Sequence, residues 1–159
     1  MREPFYDAAS FAPRVSLGYL LRRISKLSTG RIERAFDGSD ITFTQWIVLA
    51  LVATDTANTC TALARDMDHN SGAMTRLIDQ LEERSLVTRT RAEGDRRVST
   101  LTVTAAGQDM VSALVTSVVG MWNEILESFE REEIQQLITT LTRMLARLEA
   151  LEADTGTSA

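Results

Sequence analysis

The sequence predicts a mainly α fold with one small β-hairpin, a winged helix-turn-helix set between long N- and C-terminal helices. Three observations carry that expectation. Apolar residues recur at three- and four-residue spacing over most of the chain, as they do on amphipathic helices. The period breaks once, over residues 87–103, where β-branched residues take over. Two short helical stretches joined by Asp68, His69 and Asn70 directly precede the break, the order of a helix-turn-helix followed by its wing.

The first helix is expected over 15–36, where Leu17, Leu20, Leu21, Ile24, Leu27, Ile32 and Ala35 form one stripe behind Pro13. Asp37, Gly38, Ser39 and Asp40 end it, and Thr42 or Thr44 can cap a second helix over about 45–53. Thr59 is placed to cap a short third helix containing Leu63, Ala64 and Met67. Asn70 can cap a fourth, over 71–84, whose Met74, Leu77, Ile78 and Leu81 read as core and whose other face shows Ser71, Thr75, Arg76, Asp79 and Gln80. Strands over 87–91 and 98–103 enclose a polar loop, Ala92 to Arg97, with Gly94 for a tight reversal and Arg96 and Arg97 at its tip. Thr104 can cap a long helix over 105–129. That helix is apolar along Met110, Leu114, Val118, Met121 and Ile125 and again along Val111, Val115, Val119, Trp122 and Leu126, so it is expected to be buried on two sides. Over 131–152, Leu137, Leu141, Met144, Leu148 and Leu151 alternate four and three apart, the spacing of a coiled coil, which implies a partner helix. The tail 153–159 is expected to be disordered.

Length and composition agree with one soluble domain over 1–159: 44% of residues are hydrophobic and 25% charged. No uncharged apolar run of about 18 residues exists and the N-terminus lacks the apolar core of a leader, so a cytoplasmic protein without a membrane span is expected. The net charge of -5 weighs against a polyanionic partner. Its distribution relieves the objection, because residues 1–59 sum to +1, 60–107 to 0 and 108–159 to -6. His69 is the only histidine, which excludes a histidine triad or a two-histidine metal site within one chain. There is no phosphate-cradling glycine loop and no nucleophile beside a base, so neither enzymatic activity nor a cofactor or metal is expected. His69 is expected to pack on Met74 as a staple. The single Cys60, in the first turn of the third helix, has no internal disulfide partner.

A succession of short motifs then becomes informative: Thr44-Gln45-Trp46 with Val48 and Leu49, Leu63-Ala64, Met74-Thr75-Arg76-Leu77-Ile78-Asp79, Leu81-Glu82, Leu86-Val87, Asp95-Arg96-Arg97, and Val103-Thr104 with Gly107. In these the chain resembles the MarR (multiple antibiotic resistance) family of bacterial transcriptional regulators. The resemblance implies a homodimer joined by helices within 15–36 and 105–152. It also implies that the lobe 42–104 is presented to successive major grooves of a pseudo-palindromic double-stranded DNA operator, in the manner of a repressor. By that resemblance Ser71, Gly72 and Ala73 let a phosphate approach a helix N-terminus, Thr75 and Arg76 reach the groove, Arg96 and Arg97 enter a minor groove, and Gly94 and Asp95 shape the wing. It further implies a small aromatic or lipophilic effector, for which Tyr19, Trp46 and Met67 are candidates. Each assignment has a plainer reading: capping by Asn70 and Ser71, pairing of Arg76 with Asp79 or Gln80, and plain core for Tyr19, Trp46 and Met67. Ser85 departs from the glycine usual in the family, so the bend there is expected to be built differently. The competing functional reading is a dimeric adaptor or small-molecule sensor that keeps the fold without binding DNA.

Overall fold

The structure is a computed structural model; it describes residues 3–92 and 95–156, with side chains described outside 91–98 and 155–156. A short 3-10 turn (Pro13–Val15) leads into α1 (Leu17–Ala35). There follow α2 (Phe43–Ala53), α3 (Cys60–Asp66), α4 (Ser71–Glu83), β1 (Val87–Ala92), β2 (Asp95–Val103), α5 (Ala105–Leu126) and α6 (Arg131–Gly156). The chain forms two compact units, Met1–Val119 and Gly120–Ala159. Among the described residues no helix is long and apolar enough to cross a membrane.

Helix starts are set by local chemistry. Thr42 and Gln45 make a reciprocal capping box, Thr42 Oγ1 accepting from Gln45 N at 3.2 Å and Gln45 Oε1 accepting from Thr42 N at 2.9 Å. This draws the start of α2 two residues earlier than its apolar pattern begins. Thr59 accepts from Ala62 N at the head of α3, Asn70 from Ala73 N at the head of α4, and Thr104 from Gly107 N at the head of α5. The core they surround lies within the lobe: Ile41, Val48, Leu49, Val52, Leu63, Met74, Ile78, Leu81, Leu86, Val87 and Leu101 are all buried. Met110, Val111 and Leu114 of α5 pack against it. Val115 and Val119 stay exposed, so the second expected face of α5 is covered only in part within the chain.

The crossing at Leu86 closes the lobe. Its carbonyl accepts from Thr104 N at 3.0 Å and from Thr104 Oγ1 at 3.2 Å, while a second bond from that hydroxyl reaches Ser85 O at 2.7 Å. A Cβ on Gly107 would lie 2.2 Å from the same Leu86 oxygen, so glycine is needed there for close approach. Ser85, expected to force a different bend, instead takes the left-handed conformation itself, with φ of 57°. The bend is the one a glycine would make, held by Leu86 N donating to Leu81 O at 2.9 Å and by the Thr104 contacts.

Three further expectations are corrected. The last helix does not stop at 152 but continues to Gly156, with Ala153 favouring helix; residues 157–159 lie outside the described residues. α5 ends at Leu126 rather than 129, and Glu130 N, bonded to Glu133 Oε2 at 2.9 Å, opens α6. His69 is exposed, and its Nδ1 donates to Met67 O at 2.7 Å instead of the ring being buried on Met74.

Two substitutions should move stability in opposite directions. Ser85→Gly should stabilise by about 0.5 to 1 kcal/mol, because relief of the left-handed strain exceeds the added chain entropy. Gly107→Ala should destabilise by about 1 to 3 kcal/mol through overpacking on the Leu86 carbonyl. Thermal or urea melts of the two variants check both signs.

Candidate nucleic-acid interface

α4 has two halves with different employment. Toward its C-terminal end the polar side chains are engaged by other elements. Gln80 Oε1 accepts from Gln45 Nε2 at 3.0 Å, tying α4 to α2. Arg89 of β1 turns its guanidinium onto the helix, pairing through Nη2 with Asp79 Oδ1 and through Nε with Glu82 Oε2 at 3.2 Å. Arg84, just past the helix, bonds the Asp40 carbonyl through Nη1. The partners that the plainer reading offers Arg76, Asp79 and Gln80, are therefore taken up elsewhere.

The N-terminal half is open. Ser71, Gly72, Thr75 and Arg76 are exposed and Ala73 is half-buried. Arg76 makes no ion pair with any described residue. Asn70 spends its side chain on the Ala73 amide. Thr75 Oγ1 donates back to Ser71 O at 2.8 Å and lies 3.4 Å from Cys60 Sγ, which fixes its rotamer. A Cβ at Gly72 would meet nothing closer than Asn70 Oδ1 at 3.5 Å, an ordinary contact. The fold itself does not demand a glycine at that position.

The hairpin stands beside this face. β1 and β2 pair antiparallel with Val87 opposite Val103 and Arg91 opposite Ser99, after which the register shifts and Ala92 pairs with Asp95. The returning strand β2 runs through Asp95, Arg96, Arg97 and Val98. The sequence places the two arginines at the tip of a loop running from Ala92 to Arg97; the pairing of Ala92 with Asp95 corrects this and puts both of them within β2. Gly94 lies outside the described residues, and the side chains of Asp95, Arg96 and Arg97 are not described. A third element joins the hairpin, which sequence reading misses: Thr59 bridges Thr100, and Leu101 N donates to Asn58 O at 2.7 Å. The N-cap of α3 is thereby anchored to β2, so the helix pair and the wing are one rigid construction.

A model of the MarR family matches residues 41–99, the span from the start of α2 into β2. Over this segment, less than half of the chain, the sequence is similar to that family. Solved structures extend the likeness in fold. A MarR-family transcriptional regulator from Rhodococcus sp. RHA1 superposes with a TM-score of 0.76 at 24% identity, covering 85% of this chain and 96% of the other. The S. aureus MepR-DNA complex gives 0.70 at 23% identity, over 83% of this chain and 98% of MepR. CouR from Rhodococcus jostii RHA1, bound to p-coumaroyl-CoA, gives 0.74 at 23% identity, over 85% of this chain and 95% of CouR.

The three residues named for an effector have separate settings in this fold. Tyr19 is exposed on α1. Trp46 stacks on Phe43, meets Phe36 edge-on and donates from Nε1 to Val111 O at 3.3 Å, which joins α2 to α5. Met67 packs against the lobe core. A cavity of about 400 Å³ instead opens between α3, α4 and the hairpin, lined by Cys60, Thr75, Ile78, Arg89, Ser99 and Leu101. Only pairing of the strands brings these residues together, so no local motif announces the cavity.

Gln45 is buried, completes the α2 capping box and holds α4. Gln45→Ala should therefore destabilise the lobe by about 1 to 2 kcal/mol, more than a simple cap deletion at an exposed helix. A urea titration against Thr54→Ala, which removes only an exposed hydroxyl, provides the comparison; equal midpoints would dismiss the α2 to α4 link.

Proposed function

We propose that the chain is a sequence-specific double-stranded DNA-binding transcriptional regulator, a ligand-responsive repressor that acts as a homodimer. The observation that carries this reading is the division of α4: its second half is anchored by Gln45 and Arg89, while its first turns present small residues and an Arg76 that pairs with no described residue, beside an arginine-bearing hairpin. Small residues at a helix N-terminus admit a phosphate to the backbone amides. Arg76 reaches a phosphate or a guanine edge, Thr75 a thymine methyl, and Arg96 and Arg97 the minor groove flanking the site. Asp95 and Gly94 shape the hairpin end.

Dimerisation is supported by apolar stripes the protomer leaves uncovered. Leu17, Leu20, Leu21, Ile24 and Leu27 on α1 are all exposed, as are Leu137, Ile138, Leu145, Leu148 and Leu151 on α6. Stripes of that length on a chain in water are covered by another chain. Pairing also supplies affinity: a lobe contributing about -5 kcal/mol binds near ~0.2 mM, whereas two rigidly joined lobes approach nanomolar affinity. The effector part of the reading is supported by the cavity, whose lining joins the hydroxyls of Thr75 and Ser99 to the apolar Ile78 and Leu101. A small aromatic or lipophilic compound matches that chemistry, and one that binds better when the lobes are off the DNA spacing releases the operator. Tyr19, Trp46 and Met67 remain the alternative effector contacts.

The decisive measurement is salt-dependent binding of the purified protein to the duplex upstream of its own gene, with sedimentation at micromolar concentration to read its oligomeric state. Arg97→Ala should lose about 1 to 3 kcal/mol of binding with the dimer intact; unaltered affinity at fixed salt removes the wing from the mechanism. A dimer that ignores every duplex at low salt would turn the assignment to an adaptor or sensor.

A further inference from the structure

α4 carries one cation, Arg76, against the three anions Asp79, Glu82 and Glu83, so its own side chains sum to -2. A helix of that charge is repelled by the phosphates it is proposed to approach, since DNA attracts cations and rejects carboxylates at its surface. Two of the three anions are met by one residue from another element. Arg89 of β1 lies against both Asp79 and Glu82, itself 29% exposed while the carboxylates are 47% and 42% exposed. Ion pairs this open to water contribute little to folding. Arginine's planar fork suits two carboxylates at once in a way a lysine would not. Stability alone therefore gives a weak account of why a strand residue covers two anions on this helix.

We infer that Arg89 is a positioning residue for DNA binding: it cancels the carboxylates of Asp79 and Glu82 on the face of α4 and holds the hairpin at fixed distance from that helix, without itself touching the DNA. This rests on the DNA-binding reading above. With Arg89 in place the face carries one net negative charge less, and Arg76 dominates its exposed half. Loss of Arg89 would leave two unpaired carboxylates facing the phosphates.

The test compares duplex affinity at about 0.1 M salt for the wild type, Asp79→Asn with Glu82→Gln, Arg89→Met, and all three substitutions together, each checked by a melting curve. The paired neutralisation should tighten binding by about three- to tenfold, because Arg89 is then an uncompensated cation. Arg89→Met should weaken it by about tenfold, and adding the two neutralisations should recover most of that loss. A structural role alone would give no such rescue. A triple variant as weak as Arg89→Met overturns the inference and makes Arg89 a phosphate contact or a packing residue. Should Arg89→Met unfold, the paired neutralisation still decides, since unchanged or weaker binding overturns the inference. A wild type that binds no duplex at low salt overturns the DNA-binding reading and this inference with it, whereas a binding wild type with unresponsive variants overturns this inference alone.

Discussion

The carbonyl oxygen of Leu86 is the point on which the lobe closes. It receives two hydrogen bonds from Thr104 and lies so near Gly107 that no side chain fits between them. Four elements meet within a few ångströms: the end of α4 at Ser85, the start of β1, the end of β2 and the first turn of α5. Because the interior tolerates little displacement, fixing this point fixes the angle at which the hairpin leaves the helix pair. The second anchor is the Thr59 to Thr100 bridge, which ties the start of α3 to the middle of β2. Between them these contacts give the face made by α4 and the hairpin a rigid frame, the condition a recognition surface must meet.

Within that frame the polar residues of α4 do not share one role. Gln80, Asp79 and Glu82 look inward or sideways, to α2 and β1, and hold the helix. The residues before them keep their side chains for whatever approaches from solvent. The helical period groups all of these into one polar face opposite the apolar stripe, although half of that face is occupied by the protein's own contacts. Only the identity of the partners, Gln45 and Arg89, separates the halves.

What is legible in the sequence follows the same line between local and distant. Caps at Thr42, Thr59, Asn70 and Thr104 are local hydrogen bonds, so their residues and positions can be read directly. The stripe Met74, Leu77, Ile78, Leu81 and the strand period are equally plain. Misreadings arise where a residue answers to something far along the chain. Ser85 adopts a left-handed backbone because Thr104 and the Leu81 to Leu86 bond hold it there, against its own preference. Arg89 reads as a strand residue until β1 is placed against α4, and the cavity beside it has no signature at all. The two wing arginines lie within β2, and that placement depends on cross-strand pairing, which composition does not encode.

The register shift after Arg91 separates two functions of the hairpin. The ladder from Val87 to Arg91 and from Ser99 to Val103 contributes Val87, Leu101 and Val103 to the core and its packing, and it is complete before the register shifts. Arg96, Arg97 and Val98 belong to β2 outside that stretch of ladder. The stem is therefore answerable to folding and the segment it carries is answerable to its target. Such a partition lets the outer segment vary in length and charge across descendants of one ancestor while the body stays constant, and it marks 92–98 as the place to graft a foreign recognition loop.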